Sequence, residues 1–473
     1  MLARKTNRII TYYAWLSCFA FFTANISSAE SLNVLLIMAD DVGYECFGSY
    51  GSSEYKTPHL DRLADSGIRF THAHSTPLCT PTRVNLLSGK SNVFNYQDFG
   101  VYPSGEPTFA NHFTEHGYRT AVAGKWQLQS SQRGRGISPL EAGFKTYCLW
   151  NIPGGGSDRY WDPSFIQDGK SVSITKDTFG PDVMTDFLID FIREPSEKPF
   201  LAYYPMILVH NPFVPTPESS NGTRKDKFKR SEKRQKKNYV DMVQYMDRCV
   251  GRLIQAIDES GKRDQTLIIF TSDNGTNALL RSELGGKTIR GGKGYTHDYG
   301  THVPLIVNQP GRIRPHQICD DLVGFSDFFP TLVEASGLPA KPIKNGDGQS
   351  FWPQCIGELR TGKKTNPREW IYGYYFPRPY ARQLDNKYSH YPVRYARDKR
   401  FKLYDNGDLY DTLVDTMEID PLPPGSDQRN PLQRAARQKL QQAIDRFPSS
   451  GQAINHEATS NLIKPGSHAR SNP

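Results

Sequence analysis

The sequence predicts an α/β fold: a large mixed, mostly parallel sheet sandwiched by helices, followed by a smaller C-terminal antiparallel sheet plus helix. The continuous apolar runs NVLLIMAD, YRTAVAGKW, FLAYYPMILVH and TLIIFTSDN have the composition of strands buried on both faces. Amphipathic stretches such as TPHLDRLADSG and YVDMVQYMDRCVGRLIQAIDESG alternate with them, as the helices of a parallel sheet do. Toward the end, REWIYGYYF, YPVRYARD, RFKLYD and GDLYD alternate apolar and polar residues with turns between them, the pattern of antiparallel strands.

Residues 1–29 read as a signal peptide. Arg4, Lys5 and Arg8 precede the apolar stretch IITYYAWLSCFAFFTA, and Ser27, Ser28 and Ala29 offer small side chains for cleavage. The stretch is flecked with polar residues and shorter than the ~20 residues of a spanning helix, which favours cleavage over an uncleaved anchor. Trp15-Leu16-Ser17 before Cys18 makes a poor lipid-attachment box. No other segment could span a bilayer, so no stable membrane insertion is expected, and the location expected is secreted or periplasmic.

The formal charge of +9 falls to +6 once Arg4, Lys5 and Arg8 are removed. Most of that charge sits in RKDKFKRSEKRQKK, residues 224–237, with nine basic and two acidic side chains. Such a run usually marks a solvated loop; the functional alternative is a docking patch for an anionic polymer. It holds a single aromatic, Phe228, and no nucleic-acid fold signature accompanies it, so nucleic acid is not expected as a partner. Of seven cysteines, six remain in the mature chain, without CxxC spacing, which indicates neither a zinc site nor a disulfide scaffold.

Each apolar run ends on polar groups that are costly to bury without a role: Asp40-Asp41, Lys125, His210 and Asp273-Asn274. In sheets of this kind the ligand crevice lies at the carboxyl ends of the strands, so these residues are expected to converge. Beyond them, VGFSDFFPTLVEASG reads as a helix starting near Ser326 and still belongs to the first domain. Residues 340–368 are rich in Gly, Pro and Lys and suggest a boundary. A main domain over 30–365 and an α+β subdomain over 366–448 follow, with PLQRAARQKLQQAIDRF as its covering helix. The polar residues 449–473 are expected to be disordered.

Cys79-Thr80-Pro81-Thr82-Arg83 precedes VNLLSG, and proline in that place is a good helix start. Cys79 would then stand at a helix N-terminus, where the dipole and free N–H groups favour an anion and Arg83 adds a fixed charge. From these residues alone, an ordinary buried cysteine and an unmodified thiolate nucleophile both stay open. Asp40, Asp41, Asp273 and Asn274 offer three carboxylates and an amide carbonyl, an all-oxygen set suited to a hard divalent cation, calcium before magnesium. A cap or turn after a strand is the alternative for Asp40-Asp41.

Cys79 to Arg83 followed by LLSGK resembles the C-x-P-x-R signature of the type I, formylglycine-dependent sulfatases of the alkaline phosphatase superfamily. The resemblance continues in order through NVLLIMADDVGYECFGSYG, TPHLDRLADSGIRFTHAHS, GYRTAVAGKW, TSDNG, GGKGYTHDYGTHVPLIV and RFKLYDNGDLYD. It implies an alkaline phosphatase-like fold, a catalytic domain over 30–365, and an arylsulfatase-like sulfuric ester hydrolase. Cys79 would be oxidised to formylglycine by a formylglycine-generating enzyme. Asp40, Asp41, Asp273, Asn274 and the modified Cys79 would hold Ca2+, with Mg2+ the less favoured ion, while Arg83, Lys125 and Lys293 would neutralise the sulfate oxygens. One hydroxyl of the hydrated aldehyde would attack sulfur, His210 would protonate the departing oxygen, and the second hydroxyl would expel sulfate.

The chain departs from that family where it matters. Most relatives read G-K-W-H-L-G, whereas this chain reads G-K-W-Q-L-Q, so Gln127 replaces a histidine thought to remove the proton that triggers sulfate expulsion. His302 stands where many relatives carry arginine; both are expected to bind substrate. Two rivals accompany the sulfatase reading: a phosphodiesterase or phosphonate hydrolase of the same superfamily, and a non-catalytic sulfoglycan-binding relative. Export and the basic run make a sulfated polysaccharide or oligosaccharide the expected substrate. Asn221-Gly222-Thr223 is a glycosylation sequon for a eukaryotic host.

Overall fold

The computed structural model describes residues 31–96, 98–130, 135–219, 232–357, 365–376, 388 and 392–449. The expected signal peptide, the Asn221 sequon, residues 224–231 of the basic run and residues 450–473 of the tail lie outside them.

Ten strands form the main sheet. In chain order they are β1 (Asn33–Ala39), β2 (Ile68–His74), β3 (Arg119–Lys125), β4 (Thr146–Trp150), β5 (Ile166–Gln167), β6 (Lys170–Ser171), β7 (Phe200–Pro205), β8 (Thr266–Ser272), β9 (His302–Asn308) and β10 (Gln317–Gly324). Across the sheet the order is β10-β2-β9-β8-β1-β7-β3-β4-β5-β6. The centre is parallel, with β1 paired to β8 and β7, and β3 to β7 and β4. Only β9 and β5 run against the other members of this sheet.

Alternation along β1 explains why helices cover both faces. Leu35, Ile37 and Ala39 join one apolar cluster, while Val34, Leu36 and Met38 join the other. The first cluster takes in α1 (Pro58–Asp65), and also α4 (Gly180–Arg193) and α5 (Glu232–Glu259), through Leu60, Leu188 and Met246. The second takes in α2 (Cys79–Ser88), α3 (Phe109–Glu115) and α6 (Phe328–Ala335), through Leu86, Phe113 and Leu332. Burying each such side chain contributes about 1.5–3 kcal/mol. A short 3-10 turn at Phe325–Asp327 leads into α6, close to the expected start at Ser326.

The basic run corrects one expectation. Its described part is not loop but the opening turns of α5, because Lys, Arg, Gln and Glu extend a helix readily. Lys236 is tied down there, 3.0 Å from Glu54 and 2.6 Å from the Tyr55 hydroxyl. All six cysteines among the described residues are free thiols, and no described helix is long and apolar enough to cross a membrane.

The C-terminal sheet is antiparallel, in the order β11 (Ile371–Tyr375), β12 (Val393–Arg397), β13 (Phe401–Tyr404), β14 (Leu409–Asp411). On one face it packs on α7 (Pro431–Asp445) through Leu403, Leu440 and Ile444. Asn430 caps that helix by accepting from Leu432 N at 3.0 Å, with Pro431 in the first turn. On its other face Tyr375, Tyr395 and Tyr404 cluster with Leu78, the residue before Cys79. The small sheet therefore buttresses the start of α2.

Candidate active site

The register of the central strands brings the polar run-ends together. Ala39 pairs with Ser272, so Asp40 and Asp273 leave β1 and β8 side by side, and Asp273 N donates to Ala39 O at 3.0 Å. From β7 the chain crosses β1, with Asp40 N donating to Leu208 O at 2.8 Å, and delivers His210. On β3, Lys125 reaches the same edge because Gly124 lets that strand approach β7; a Cβ there would lie 1.9 Å from Pro205 O.

Cys79 opens α2, and Thr82 ties the preceding loop to the first turn by accepting from Thr76 N at 3.1 Å and donating to Leu78 O at 3.0 Å. The Cys79 thiol lies 3.4 Å from Asp40 Oδ1 and 3.8 Å from Asp41 Oδ1. Donor atoms of Asp40, Asp41, Cys79 and His210 all fall within 4.8 Å of one another. Three cations close the ring. Lys125 Nζ donates to Asp40 Oδ2 at 2.8 Å, Lys293 Nζ to Asp41 Oδ2 at 2.6 Å, and Arg83 Nη2 to Asp273 Oδ2 at 3.0 Å. Lys293 arrives on the glycine-rich loop, whose backbone N donates to Thr276 O at 3.0 Å; a Cβ on Gly300 would lie 1.9 Å from Tyr295 O, so the loop closes only with glycine there.

Burial pushes all three carboxylates up, and the cations decide which stay down. Lys125, with His210, Arg83 and Lys293, holds Asp40 well below the ordinary carboxylate range, and Lys293 heads the groups that hold Asp41 down. Asp273 goes the other way: burial and the charge of Asp40 lift it to about 7 despite Arg83. Burial, seconded by Asp273, pushes the Cys79 thiol up. Burial and Lys293 press His210 down to about 3, so its ring is neutral at neutral pH, with Nε2 3.7 Å from Asp41 Oδ2.

Asp40, Asp41, Asp273 and Asn274 are each fully buried. Asn274 Nδ2 donates to Asp41 Oδ1 at 2.8 Å, but its Oδ1 has no hydrogen-bond partner among the described residues. Three crowded carboxylates and an unpartnered amide oxygen fit a hard divalent cation, which would satisfy that oxygen and relieve the repulsion that lifts Asp273.

The remaining expected residues divide. Gln127 stands just past Lys125 with φ +54°, its N donating to Asn151 O at 3.1 Å, and its buried Oε1 has no partner among the described residues. His302 is held elsewhere, at the junction with the C-terminal sheet. Its ring nitrogens lie 3.0 Å from Asp298 Oδ2 and 2.8 Å from Thr71 O, and it stacks on Tyr44 at 4.0 Å. Arg397 of β12 completes that group, donating to Asp298 Oδ1 at 2.8 Å.

Arg159 joins the site without having been singled out from the sequence. Its Nη2 lies 3.1 Å from His210 Nδ1, and its guanidinium lies over the Trp150 ring at 4.3 Å. The loop that carries it, NIPGGGSDRYW, has no periodicity to mark any residue; only an arginine next to aromatics hinted at a role.

Residues 32–338 match the family described as Sulfatase, and residues 292–446 match N-sulphoglucosamine sulphohydrolase, C-terminal. Human arylsulfatase A is 30% identical over 389 residues, covering 74% of this chain and 72% of that protein. Among solved structures, Ps i-CgsB in complex with k-i-k-neocarrahexaose superposes with a TM-score of 0.71 at 22% identity, covering 91% of this chain and 96% of that one. A protein in complex with its substrate D-glucosamine-2-N,6-O-disulfate superposes with a TM-score of 0.68 at 22% identity, covering 87% and 97%. At that identity these two speak for the shared fold. With the family match spanning residues 32–338 and a relative 30% identical over 74% of the chain, this protein belongs to the sulfatase family of the alkaline phosphatase superfamily.

Proposed function

We propose that this sulfatase removes sulfate from a sulfated polysaccharide or its oligosaccharides outside the cytoplasm, with Cys79 matured to formylglycine and Ca2+ held by Asp40, Asp41, Asp273 and Asn274. The observation that carries the reading is the placing of Cys79 at the start of α2, 3.4 Å from Asp40 Oδ1, inside a ring of Arg83, Lys125 and Lys293. A sulfate monoester is an anion, so a nucleophile meets repulsion unless cations neutralise its oxygens. Lys125 and Lys293 each hold a carboxylate now and are placed to turn toward sulfate, while Arg83, pinned by Asp273 and by Lys125 O at 2.7 Å, fixes the floor of the pocket.

The bound cation supplies charge neutralisation and lowers the cost of ionising a nearby hydroxyl. A formylglycine at position 79 would offer two hydroxyls on one carbon, one to attack sulfur and displace the alcohol, the other to expel sulfate as the aldehyde re-forms. A ring nitrogen of His210 lies within 4.8 Å of the Cys79 sulfur, and this histidine is our candidate to protonate the leaving oxygen. Burial first and the charge of Lys293 second keep the ring neutral, and a sulfate entering beside Lys293 offsets the second of these. Glutamine cannot act as a base, so either another group, Asp41 or a neighbouring histidine, takes the role that Gln127 cannot fill, or turnover is slow, or the site is tuned to an unusual substrate. A formylglycine-generating enzyme is required in the same cell.

The expected export signal, the basic run that continues into α5 and the carbohydrates bound by the two proteins of like fold support a sulfated sugar as substrate. Mass spectrometry of the tryptic peptide ending at Arg83, paired with sulfate release from carrageenan, fucan, chondroitin and heparan fragments, tests both halves. Aldehyde at position 79 and release from one of these polymers is the expected result. A fully active enzyme with an intact thiol ends the formylglycine reading, and activity confined to small aryl or steroid sulfates ends the polysaccharide one.

A further inference from the structure

Resting on the sulfatase reading, we propose that Arg159, laid on Trp150 beside His210, forms a subsite for a second anionic group on the sugar that carries the scissile sulfate. The other three cations of the site each have a carboxylate partner: Arg83 has Asp273, Lys125 has Asp40 and Lys293 has Asp41. Arg159 has none among the described residues. Its hydrogen bonds, to His210 Nδ1 and to Asn211 O, both use Nη2, which leaves Nε and Nη1 without partners among the described residues. The planar group is held rigid by Trp150 at 4.3 Å, with Tyr160 at 5.6 Å, and stays partly exposed.

A half-exposed guanidinium held flat by aromatics, with a free edge, is preorganised for a carboxylate or a sulfate. Its distance from the chemistry suits a neighbouring substituent, because the width of one imidazole ring separates it from the Asp41–Cys79 cluster. Without a protein carboxylate to displace, a ligand anion gains the whole interaction. A singly sulfated sugar or an aryl sulfate leaves this edge to water.

The test is calorimetric binding to the full chain carrying Cys79→Ala, with and without Arg159→Ala. The probes are monosulfated and disulfated galactose, monosulfated and disulfated glucosamine, and a monosulfated disaccharide with a uronate. We expect the second anion to tighten binding about tenfold or more, Arg159→Ala to erase that preference, and Arg159→Lys to keep part of it. The uronate arm tells a carboxylate from a sulfate. An unchanged preference in Arg159→Ala overturns the proposal, as does an equal loss for singly and doubly charged sugars, which would make Arg159 a positioning residue for His210. If unmutated, matured protein binds the disulfated sugar through Arg159 yet frees no sulfate from any ester, the subsite stands and the sulfatase reading falls. Desulfation without any Arg159-dependent preference gives the reverse.

Discussion

Tyr375 of the C-terminal sheet donates its hydroxyl hydrogen to the carbonyl oxygen of Gly294 at 2.8 Å, one residue beyond Lys293. The same sheet reaches the loop again through Tyr404, which donates to Thr296 Oγ1 at 2.7 Å, and Lys402, which donates to Thr296 O. Lys293 therefore owes its position to residues more than eighty places further along the chain. Replacing Tyr375 with Phe removes one buried hydrogen bond worth about 1 kcal/mol. We expect kcat/KM for a sulfate ester to fall about three- to tenfold with only a few degrees lost in Tm. Steady-state kinetics beside thermal unfolding would check this, and a loss of stability with kinetics untouched would count against a positioning role.

Removing the divalent cation should cost stability as well as activity. Asp40, Asp41 and Asp273 crowd one another in full burial, and burial together with the charge of Asp40 raises Asp273. A cation at a concentration a hundred times its Kd adds ~2.7 kcal/mol to the folded state. Chelation is therefore expected to lower Tm by several degrees, and calcium to restore it. Asn274→Ala should shift the calcium needed for half-restoration at least about tenfold upward. Identical melting curves with chelator and with calcium would contradict the site.

What could be read from the sequence, and what could not, follows from range. Asp40-Asp41, Lys125, His210 and Asp273-Asn274 were legible because each ends an apolar run, a local signal that burial has to justify. Their convergence came from a rule about parallel sheets. The pairing of Ala39 with Ser272, which sets Asp273 beside Asp40, is a contact between distant segments that no local pattern encodes. Arg159 was illegible for a related reason: a glycine-rich loop has no period, and its orientation comes from Trp150 and His210 on other elements. His302 shows the converse, a residue marked by a motif whose partners, Asp298 and Arg397, tie it to the subdomain junction instead.

Far from the site, Asp247 of α5 caps α1, accepting from His59 N at 3.0 Å and Leu60 N at 2.8 Å. Burial pushes its carboxyl up to about 7 from 3.8, against the pull of those two donors. The sign follows from linkage: between pH ~4 and ~7 the folded protein binds this proton and the unfolded chain does not, so stability contributed here falls as pH rises through that window and levels off above it. Asp247→Asn should flatten this part of the profile. Denaturant unfolding at half-unit pH steps would reveal the difference, and parallel profiles for the two proteins would refute the assignment.

Gln127 offers the sharpest test of what limits turnover. Its backbone is left-handed, a conformation histidine tolerates better than most residues, and its buried Oε1 has no partner among the described residues. Gln127→His therefore introduces a base at this place without demanding a new backbone. A positioned base contributes typically about 10²–10⁴-fold, so if sulfate expulsion is slow for want of one, kcat should rise at least about tenfold. The gain should appear in kcat and leave the burst of first-turnover product unchanged, because attack on sulfur precedes the step being helped. It should also fade below the pKa of the new imidazole, giving an acid limb absent from the natural chain. An unchanged kcat with an unchanged pH profile would mean that another group, Asp41 or a nearby histidine, already does this work at full rate.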